Sequence, residues 1–273
     1  MNAPIQTAAF WDASADGYIA SAEPFTGQFC VDAVRLAAIE PGMTLLDVAT
    51  GPGALALAAA RAGAVVTAID FSQTMVDRLT QRIADLPVQA HRMDGQALDL
   101  PDASFDRACS VFGVPLFPDW RAGLREMARV LKPGGRAVVA VADNAYGFGP
   151  NLLLARARAR VTGQPAPVEV TAWETLADPE RLAEELRDAG LDAIEIHERT
   201  HDFVLDAALF ATRHPMILNN PVLGGLDEAE RDAVIAAAMI DAGEQGDGST
   251  LRLPGTARFA IGTRGPVSAG TNG

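Results

Sequence analysis

The sequence predicts an α/β fold with one open, mostly parallel sheet of seven strands, helices on both faces and a helical insert near the last strands. Two observations support this prediction. Short apolar runs alternate with amphipathic helical patterns along the chain, which is typical of strand–helix–strand units. Several of these runs also end in an acid or a glycine loop, at the strand ends where open parallel sheets bind ligands. The pattern therefore predicts both a fold and a ligand site.

A glycine-rich loop follows the first predicted strand. Leu45 to Val48 is a short, mainly apolar run typical of a buried parallel strand, and Thr50-Gly51-Pro52-Gly53 then forces a tight turn. A helix is predicted from Ala54. Glycines let the backbone approach a ligand, and the helix N-terminus offers unpaired N–H groups. The stretch predicts a nucleotide-type cradle, with a glycine turn in an ordinary α/β protein as the alternative.

The remaining elements continue the alternation. Further strands are predicted over residues 64–70, 88–95, 105–112, 136–142, 191–199 and 252–263. Helices are predicted to begin at Glu23, Ser72, Trp120, Asn151 and Asp178, and residues 204–245 are predicted to be helical, with the last helix opening at Asp227. Gly51, Asp70, Asp94 and Phe112 fall at strand ends, so we expect them to meet in one crevice.

The composition limits the class of partner. The 273 residues include 22 Lys and Arg against 35 Asp and Glu, which gives a formal net charge of −13. This balance disfavours a nucleic-acid backbone or an anionic membrane as the partner, because both require basic patches. An apolar fraction of 49% with 21% charged residues is typical of a soluble globular protein.

Cysteine use and the absence of targeting patterns predict a cytoplasmic protein. Cys30 and Cys109 are too few for a disulfide framework and fit a reducing compartment. Residues 1–10 show no signal-peptide pattern, and no apolar run approaches the length of a membrane span. The four scattered histidines and two cysteines lack metal-ligand spacing, so no metal site is predicted.

The glycine loop formally fits a dinucleotide fingerprint. Residues 51–56 match GxGxxA, and Asp70 lies where a ribose-binding acid is expected, so an NAD-dependent oxidoreductase is one interpretation. Three features argue against it: the acid Asp47, the proline Pro52 between the glycines, and the further acid Asp94. A crevice with this many carboxylates does not favour a pyrophosphate.

The ordered set of motifs resembles the class I S-adenosylmethionine-dependent methyltransferases, whose fold is Rossmann-like. The resemblance covers roughly residues 40–142, through the D-x-x-x-G-x-G motif from Asp47 to Gly53, the strand-end acids Asp70 and Asp94, and the turn Leu131 to Gly135. Asp-Val-Ala-Thr-Gly-x-Gly and the stretch 126–135 are most similar to the small-molecule branch that includes ubiquinone/menaquinone C-methyltransferases. Ala49 stands where many relatives have glycine.

The resemblance implies S-adenosylmethionine as the cofactor and assigns roles to individual residues. Asp70 is implied to bind the ribose hydroxyls, Asp47 to lie near the methionine ammonium, and Asp94 to lie beside the adenine. The implied cofactor-binding set is Trp11, Tyr18, Asp47, Ala49, Gly51, Gly53, Asp70, Phe71, Met75, Asp94, Gly95, Gln96 and Phe112. A non-catalytic module that binds S-adenosylmethionine is a second alternative, because an intact cofactor site does not prove turnover.

The resemblance also organises the chain into segments. Residues 1–40 are expected to form an N-terminal helical segment that closes over the cofactor, with Trp11 and Tyr18 as its aromatic pair. Residues 41–264 are expected to form the methyltransferase domain, with a cap-like insert at about 204–245. Residues 265–273 are expected to be a frayed tail.

The methyl acceptor is expected to be a small, partly hydrophobic molecule. It should lie under residues 112–120, 143–150 and 204–245, where apolar and aromatic side chains are frequent. These side chains are Phe112, Phe117, Tyr146, Phe148, Phe210, Met216 and Ile217. His214 is the preferred candidate for a general base, ahead of His197 and His201. The sequence is also compatible with a homodimer.

Overall fold

We describe the protein from a computed structural model, which describes residues 3–168, 170–208, 215–218, 220–243 and 249–266. The strands of the sheet are β1 Thr44–Val48, β2 Val65–Asp70, β3 Val88–Arg92, β4 Phe105–Val111, β5 Leu131–Ala142, β6 Leu191–Asp206 and β7 Thr250–Arg264. The helices are α1 Ala8–Ser21, α2 Glu23–Leu36, α3 Ala54–Arg61, α4 Gln73–Thr80, α5 Trp120–Val130, α6 Gly149–Thr162, α7 Thr171–Ala177, α8 Pro179–Asp188, α9 Pro215–Leu218 and α10 Glu228–Gly243. Short 3₁₀ helices lie at 4–6, 114–116 and 221–223.

The strands form one sheet in the order β3-β2-β1-β4-β5-β7-β6. The first five strands pair in parallel, and β7 runs antiparallel to both β5 and β6. The order reverses between β1 and β4, which is the switch point where ligands bind in open α/β sheets. The predicted fold class, a mostly parallel sheet of seven strands, is confirmed.

The apolar residues of the first strand pack into two hydrophobic clusters, one on each face of the sheet. Leu45 packs into the cluster that holds α2 and α3 against one face of the sheet, while Leu46 packs into the cluster around α5, α7 and α8 on the other. Both residues have an exposed fraction of 0%, because successive side chains of a strand point to opposite faces. A central parallel strand covered on both faces therefore reads as a continuous apolar stretch.

Several helices begin where the sequence predicts. The Ser72 hydroxyl accepts a hydrogen bond from the N–H of Met75, and the Asp178 carboxylate accepts from two backbone N–H groups of α8. Asp227 and Glu230 exchange hydrogen bonds with each other's backbone N–H at the start of α10, which is a capping box. These caps satisfy donors that the first helical turn leaves unpaired.

A third apolar cluster forms a cap beyond the end of β5. The pairing of β5 with β7 ends at Ala142–Ala257, whereas β6 and β7 continue to pair as far as Asp206–Thr250. Helices α6 and α10 pack on each other and on this extension, around Leu154, Val234 and Leu251. The cap therefore lies on the side of the sheet where the parallel strands end.

Three strand boundaries differ most from the prediction, and one helix was not predicted. β6 runs to Asp206, not 199, so residues 204–206 of the predicted helical insert are strand. β5 begins at Leu131, not 136, because Leu131 pairs with Phe105 across a bulge. β3 ends at Arg92, and α7 was not predicted. The second half of β6 belongs to an edge strand in which exposed and half-buried residues alternate, so it lacks the apolar run that indicates a strand.

Candidate functional site

The loop after β1 depends on two glycines for different reasons. Gly51 and Gly53 have φ angles of +54° and +94°, in the left-handed region that favours glycine. A Cβ added to Gly53 would lie 2.2 Å from Cδ1 of Leu79, whereas one added to Gly51 would enter open space. Gly53 therefore permits close packing on Leu79, and Gly51 leaves space beside the loop.

Asp70 ties the end of β2 to the glycine loop. Its Oδ2 accepts a hydrogen bond of 2.9 Å from the Gly51 N–H, and its Oδ1 accepts one of 2.9 Å from the Ser72 N–H. Burial raises the pKa of Asp70 to about 6, against backbone hydrogen bonds from Ser72, Gly51 and Phe71 that lower it. A carboxylate has about four acceptor positions, so this side chain retains capacity for a further donor.

Asp47 lies beneath the same loop. The Thr50 hydroxyl donates a 2.6 Å hydrogen bond to its Oδ2, and the side chain is 1% exposed. Burial raises the pKa of Asp47 to about 7, and the negative charge of Asp70 adds to this rise. Ala49, at the start of the loop, has a φ of +57°. The structure thus brings Asp47, Ala49, Gly51, Gly53 and Asp70 together.

The third predicted acid lies in the turn after β3, next to Asp70. The Met93 N–H donates to the Asp70 carbonyl, and Asp94 Oδ1 accepts from the Gln96 N–H and side-chain amide at 2.9 and 3.0 Å. A Cβ added to Gly95 would lie 2.6 Å from the Phe117 ring, so packing alone requires glycine there. Asp94 itself is exposed.

Three predicted apolar contacts lie in different surroundings. Phe71 is half-buried beside Asp70, and Met75 is 2% exposed on the first turn of α4. Phe112 follows β4 with a φ of +63°, and its ring packs 5.4 Å from Phe29 and 5.0 Å from Phe148. The Phe112 ring is therefore part of an aromatic cluster on the α2 side of the sheet.

Helix α1 docks on the loop that follows β2. Trp11 and Tyr18 pack edge to face at 5.8 Å, and the Tyr18 hydroxyl lies 2.8 Å from that of Thr26. Asp12 Oδ1 accepts hydrogen bonds from the Ser72 hydroxyl at 2.6 Å and the Thr74 N–H at 3.1 Å. These hydrogen bonds lower the pKa of Asp12. Asp12 is not among the residues predicted from the sequence, because only the fold brings it to Ser72, 60 positions away.

A cavity of about 280 Å³ lies between the N-terminal segment and the cap. Its walls include Ile5, Phe10, Tyr146, Asn151, Trp173 and Asn220. Of the predicted acceptor-site residues whose side chains the structure describes, only Tyr146 is among them. Phe117 packs between Gly95 and Gly123, Phe148 joins the aromatic cluster, and Ile217 lies in the cap core. Phe210 lies outside the described residues, and the Met216 side chain is not described.

Two of the three candidate bases, His197 and His201, lie on β6. His214, the preferred one, lies outside the described residues. His201 Nε2 lies 2.6 Å from Oδ2 of the buried Asp32, and its ring contacts Phe29 at 4.7 Å. His197 lies 3.2 Å from Glu195. His201 is therefore held by a buried carboxylate on the α2 face.

Comparison with known proteins agrees with this geometry. Residues 45–135 match the family model described as a methyltransferase domain. A demethylmenaquinone methyltransferase of Corynebacterium efficiens is 42% identical over 102 residues, which cover 37% of this chain and 43% of that protein. The chain spans about two fifths of the length of the curated relatives that it matches.

Solved structures share the fold over most of the chain. The YcgJ protein of Bacillus subtilis has a TM-score of 0.58 at 18% identity, covering 88% of this chain and 99% of that one. A phosphoethanolamine N-methyltransferase of Haemonchus contortus, solved with S-adenosylhomocysteine, has a TM-score of 0.54 at 17% identity, covering 88% of this chain and 53% of that one.

The fold and the glycine loop are typical of nucleotide-binding α/β proteins. Residues 45–135 are similar to a methyltransferase domain, and the chain shares its fold with a solved methyltransferase. The similarities support the methyltransferase interpretation and give no support to the NAD-dependent one. In the part of the chain that the structure describes, every helix is too short or too polar to cross a membrane.

Proposed function

We propose that the protein is an S-adenosylmethionine-dependent methyltransferase that acts on a small, partly hydrophobic molecule. The observation that carries this proposal is Asp70, a buried carboxylate that is fixed by the Gly51 and Ser72 N–H groups and retains acceptor capacity. Two adjacent ribose hydroxyls are donors that suit such a carboxylate. Bound S-adenosylmethionine supplies an electrophilic methyl group.

The surrounding residues fit the parts of this cofactor. Asp70 would accept from the ribose hydroxyls, and Asp47 with the loop N–H groups would hold the methionine end beside the open space at Gly51. The turn at Asp94 to Gln96, with Phe71 and Met75, would hold the adenine. Trp11 and Tyr18 would cover the cofactor from α1, and Phe112 would approach it from the end of β4.

Catalysis in this arrangement rests mainly on positioning. Holding a nucleophile in line and close to an electrophile supplies on the order of 7–11 kcal/mol of the barrier. A general base is needed only for an acceptor that must lose a proton, and His214 remains the proposed candidate. The residues described above bind and orient, and none of them has to exchange a proton with the acceptor.

The names of the curated relatives suggest a class of acceptor. Demethylmenaquinone methyltransferases match residues of the same domain, so we propose a ring compound related to a quinone as one acceptor for this chain. We further propose a cytoplasmic enzyme without a nucleic-acid partner, consistent with the net charge of −13. A homodimer remains a prediction.

Replacing Asp70→Asn tests the cofactor site. The change keeps the shape of the side chain but removes its charge and one of its two acceptor oxygens, so one hydrogen bond to the ribose is lost and the other becomes a neutral one. Titration calorimetry should show S-adenosylhomocysteine binding about 30- to 100-fold more weakly. The matched control is Asp85→Asn, an exposed acid in the loop before β3, for which affinity should be unchanged.

If Asp70→Asn and the unmodified protein bind S-adenosylhomocysteine with equal affinity, the ribose is bound by other residues. An acceptor screen with a methyl-labelled donor then separates an enzyme from a non-catalytic binding module. Transfer of label to any small acceptor supports the enzyme. Tight binding of the cofactor without transfer to any compound of the screen supports the binding module.

A further inference from the structure

We propose that the cavity between the N-terminal segment and the cap is the acceptor site, and that it selects a neutral ring compound through the amide of Asn151. The proposal rests on the proposed function, because it assigns the second substrate of the same reaction. It adds a named specificity residue and a chemical class of acceptor.

The cavity lies next to the proposed cofactor site. Ile5 contributes to one wall, and its carbonyl accepts a 2.8 Å hydrogen bond from Trp11 Nε1, which belongs to the aromatic pair of α1. Tyr146 contributes to another wall and lies four residues after Ala142, the last residue of β5. Parallel sheets present their ligands at these strand ends. A molecule in the cavity would therefore contact segments from both sides of the crevice.

The described residues of the walls are uncharged. Among the described residues that line the cavity, all are apolar or neutral polar, although the chain as a whole has a formal charge of −13. A charged ligand would lose hydration there without gaining a counter-charge, which is costly. Aromatic and aliphatic side chains, including Ile5, Phe10 and Trp173, face a ligand instead. The cavity therefore suits a neutral molecule with an apolar ring.

Two asparagines provide a directed polar group. The Asn220 Oδ1 accepts a 3.0 Å hydrogen bond from the Val222 N–H, which fixes the orientation of that amide. Asn220 Nδ2 then donates at 2.5 Å to Asn151 Oδ1. Since Asn220 occupies the oxygen of Asn151, the Asn151 amide nitrogen is the group that remains to donate to a ligand. The Tyr146 hydroxyl is already used, because it donates to the Ala166 carbonyl at 3.1 Å.

The volume limits the ligand to a compact body. At about 280 Å³ the cavity is near the lower end of the range for small-molecule sites. One ring or two fused rings with an oxygen substituent fit this size. The oxygen can then accept a hydrogen bond from the Asn151 amide. The predicted ligand class is therefore a neutral phenol, naphthol or quinone-like compound.

The test compares two ligands and two proteins. Calorimetry in saturating S-adenosylhomocysteine would measure binding of 2-naphthol and of naphthalene, which has the same rings without the oxygen. The unmodified protein should prefer 2-naphthol by about fivefold, the value of one neutral hydrogen bond. In Asn151→Ala this preference should fall to within about twofold. Arg156→Ala, an exposed change on the same helix, should keep the full preference.

A second variant tests the location. Ile5→Trp fills the cavity from the N-terminal side and should weaken both ligands at least about tenfold, while S-adenosylhomocysteine affinity stays within about twofold. An unchanged preference in Asn151→Ala, or unchanged binding in Ile5→Trp, would overturn the proposal. A protein that binds S-adenosylhomocysteine but neither ring compound would overturn this proposal alone. A protein that does not bind S-adenosylhomocysteine would overturn the proposed function as well.

Discussion

At the scale of single residues, the two glycines of the loop are required for different reasons: one for packing, the other for the space that it leaves for a ligand. Gly51 and Gly53 belong to one motif and share a positive φ. Of the two, only Gly53 lies where an added Cβ would overlap a neighbouring side chain, that of Leu79. The motif in the sequence predicts both glycines but not this difference. Leu79 lies 26 positions beyond Gly53, and only the packing of α4 on the loop reveals the constraint.

Alanine substitutions at the two glycines should therefore have different effects. Gly53→Ala combines left-handed strain with overlap on Leu79, so urea unfolding should show a loss of about 2–4 kcal/mol. Gly51→Ala carries the strain alone and should lose about 1–2 kcal/mol, but its methyl group enters the space proposed for the cofactor. We expect S-adenosylhomocysteine affinity to fall at least about tenfold in Gly51→Ala. Equal stability losses in the two variants would contradict this assignment.

At the scale of elements, the strands and helices of the first half are largely predictable, because local patterns agree with the fold. Ser72 caps the helix that the sequence assigns to it. The second half is harder, because its edge strand β6 alternates exposed and half-buried residues. Arg158 of α6 donates to the Val222 and Gly224 carbonyls, which lie far away in the sequence. Such tertiary partners leave no local signal.

The contact between α1 and the loop after β2 can be tested by substitution at Asp12. Asp12→Ala removes the hydrogen bonds to Ser72 and Thr74, which hold α1 beside Asp70. We expect faster proteolysis within residues 1–22 and cofactor affinity about three- to tenfold lower. Asp16→Ala is the matched control on the same helix, because its exposed pair with Arg78 contributes little. If both variants behave like the unmodified protein, α1 does not help to hold the cofactor.

At the scale of the whole molecule, residues 3–21 cross the edge where the parallel strands end. Ile5 packs against the cluster that includes α5, α7 and α8, and Asp12 bonds to the start of α4 on the other side of the crevice. The sequence predicts a closing segment from its aromatic residues. It does not predict the partners on either side, because they lie on elements that only the sheet order brings within reach.

The buried acids predict how stability changes with pH. The folded-state pKa values of Asp47 and Asp70, about 7 and 6, lie above their ordinary value of 3.8, so the folded state binds more protons between these limits. Their contribution to the free energy of unfolding therefore falls as pH rises from about 4 to 7. We expect a melting temperature several degrees higher at about pH 5.5 than at about pH 7.5.

Asp106 changes the free energy of unfolding with pH in the opposite direction. Burial opposes its ionisation, but hydrogen bonds from Lys132 and Thr44 lower its pKa to about 2. Its contribution is present above the ordinary value and is lost as pH falls from about 4 to 2. The free energy of unfolding should therefore be highest near about pH 4, where the acidic range governed by Asp106 meets the range governed by Asp47 and Asp70. Asp47→Asn should flatten the rise on the neutral side, and an identical melting profile in this variant would rule out Asp47 as a source.

The central claim is that the glycine loop and its acids hold S-adenosylmethionine and not a pyrophosphate-containing dinucleotide. Titration calorimetry of the unmodified protein with S-adenosylhomocysteine and with NAD tests it most directly. The account predicts saturable binding of S-adenosylhomocysteine at one site per chain and no measurable heat with NAD. Binding of NAD, without heat from S-adenosylhomocysteine or S-adenosylmethionine, would contradict it.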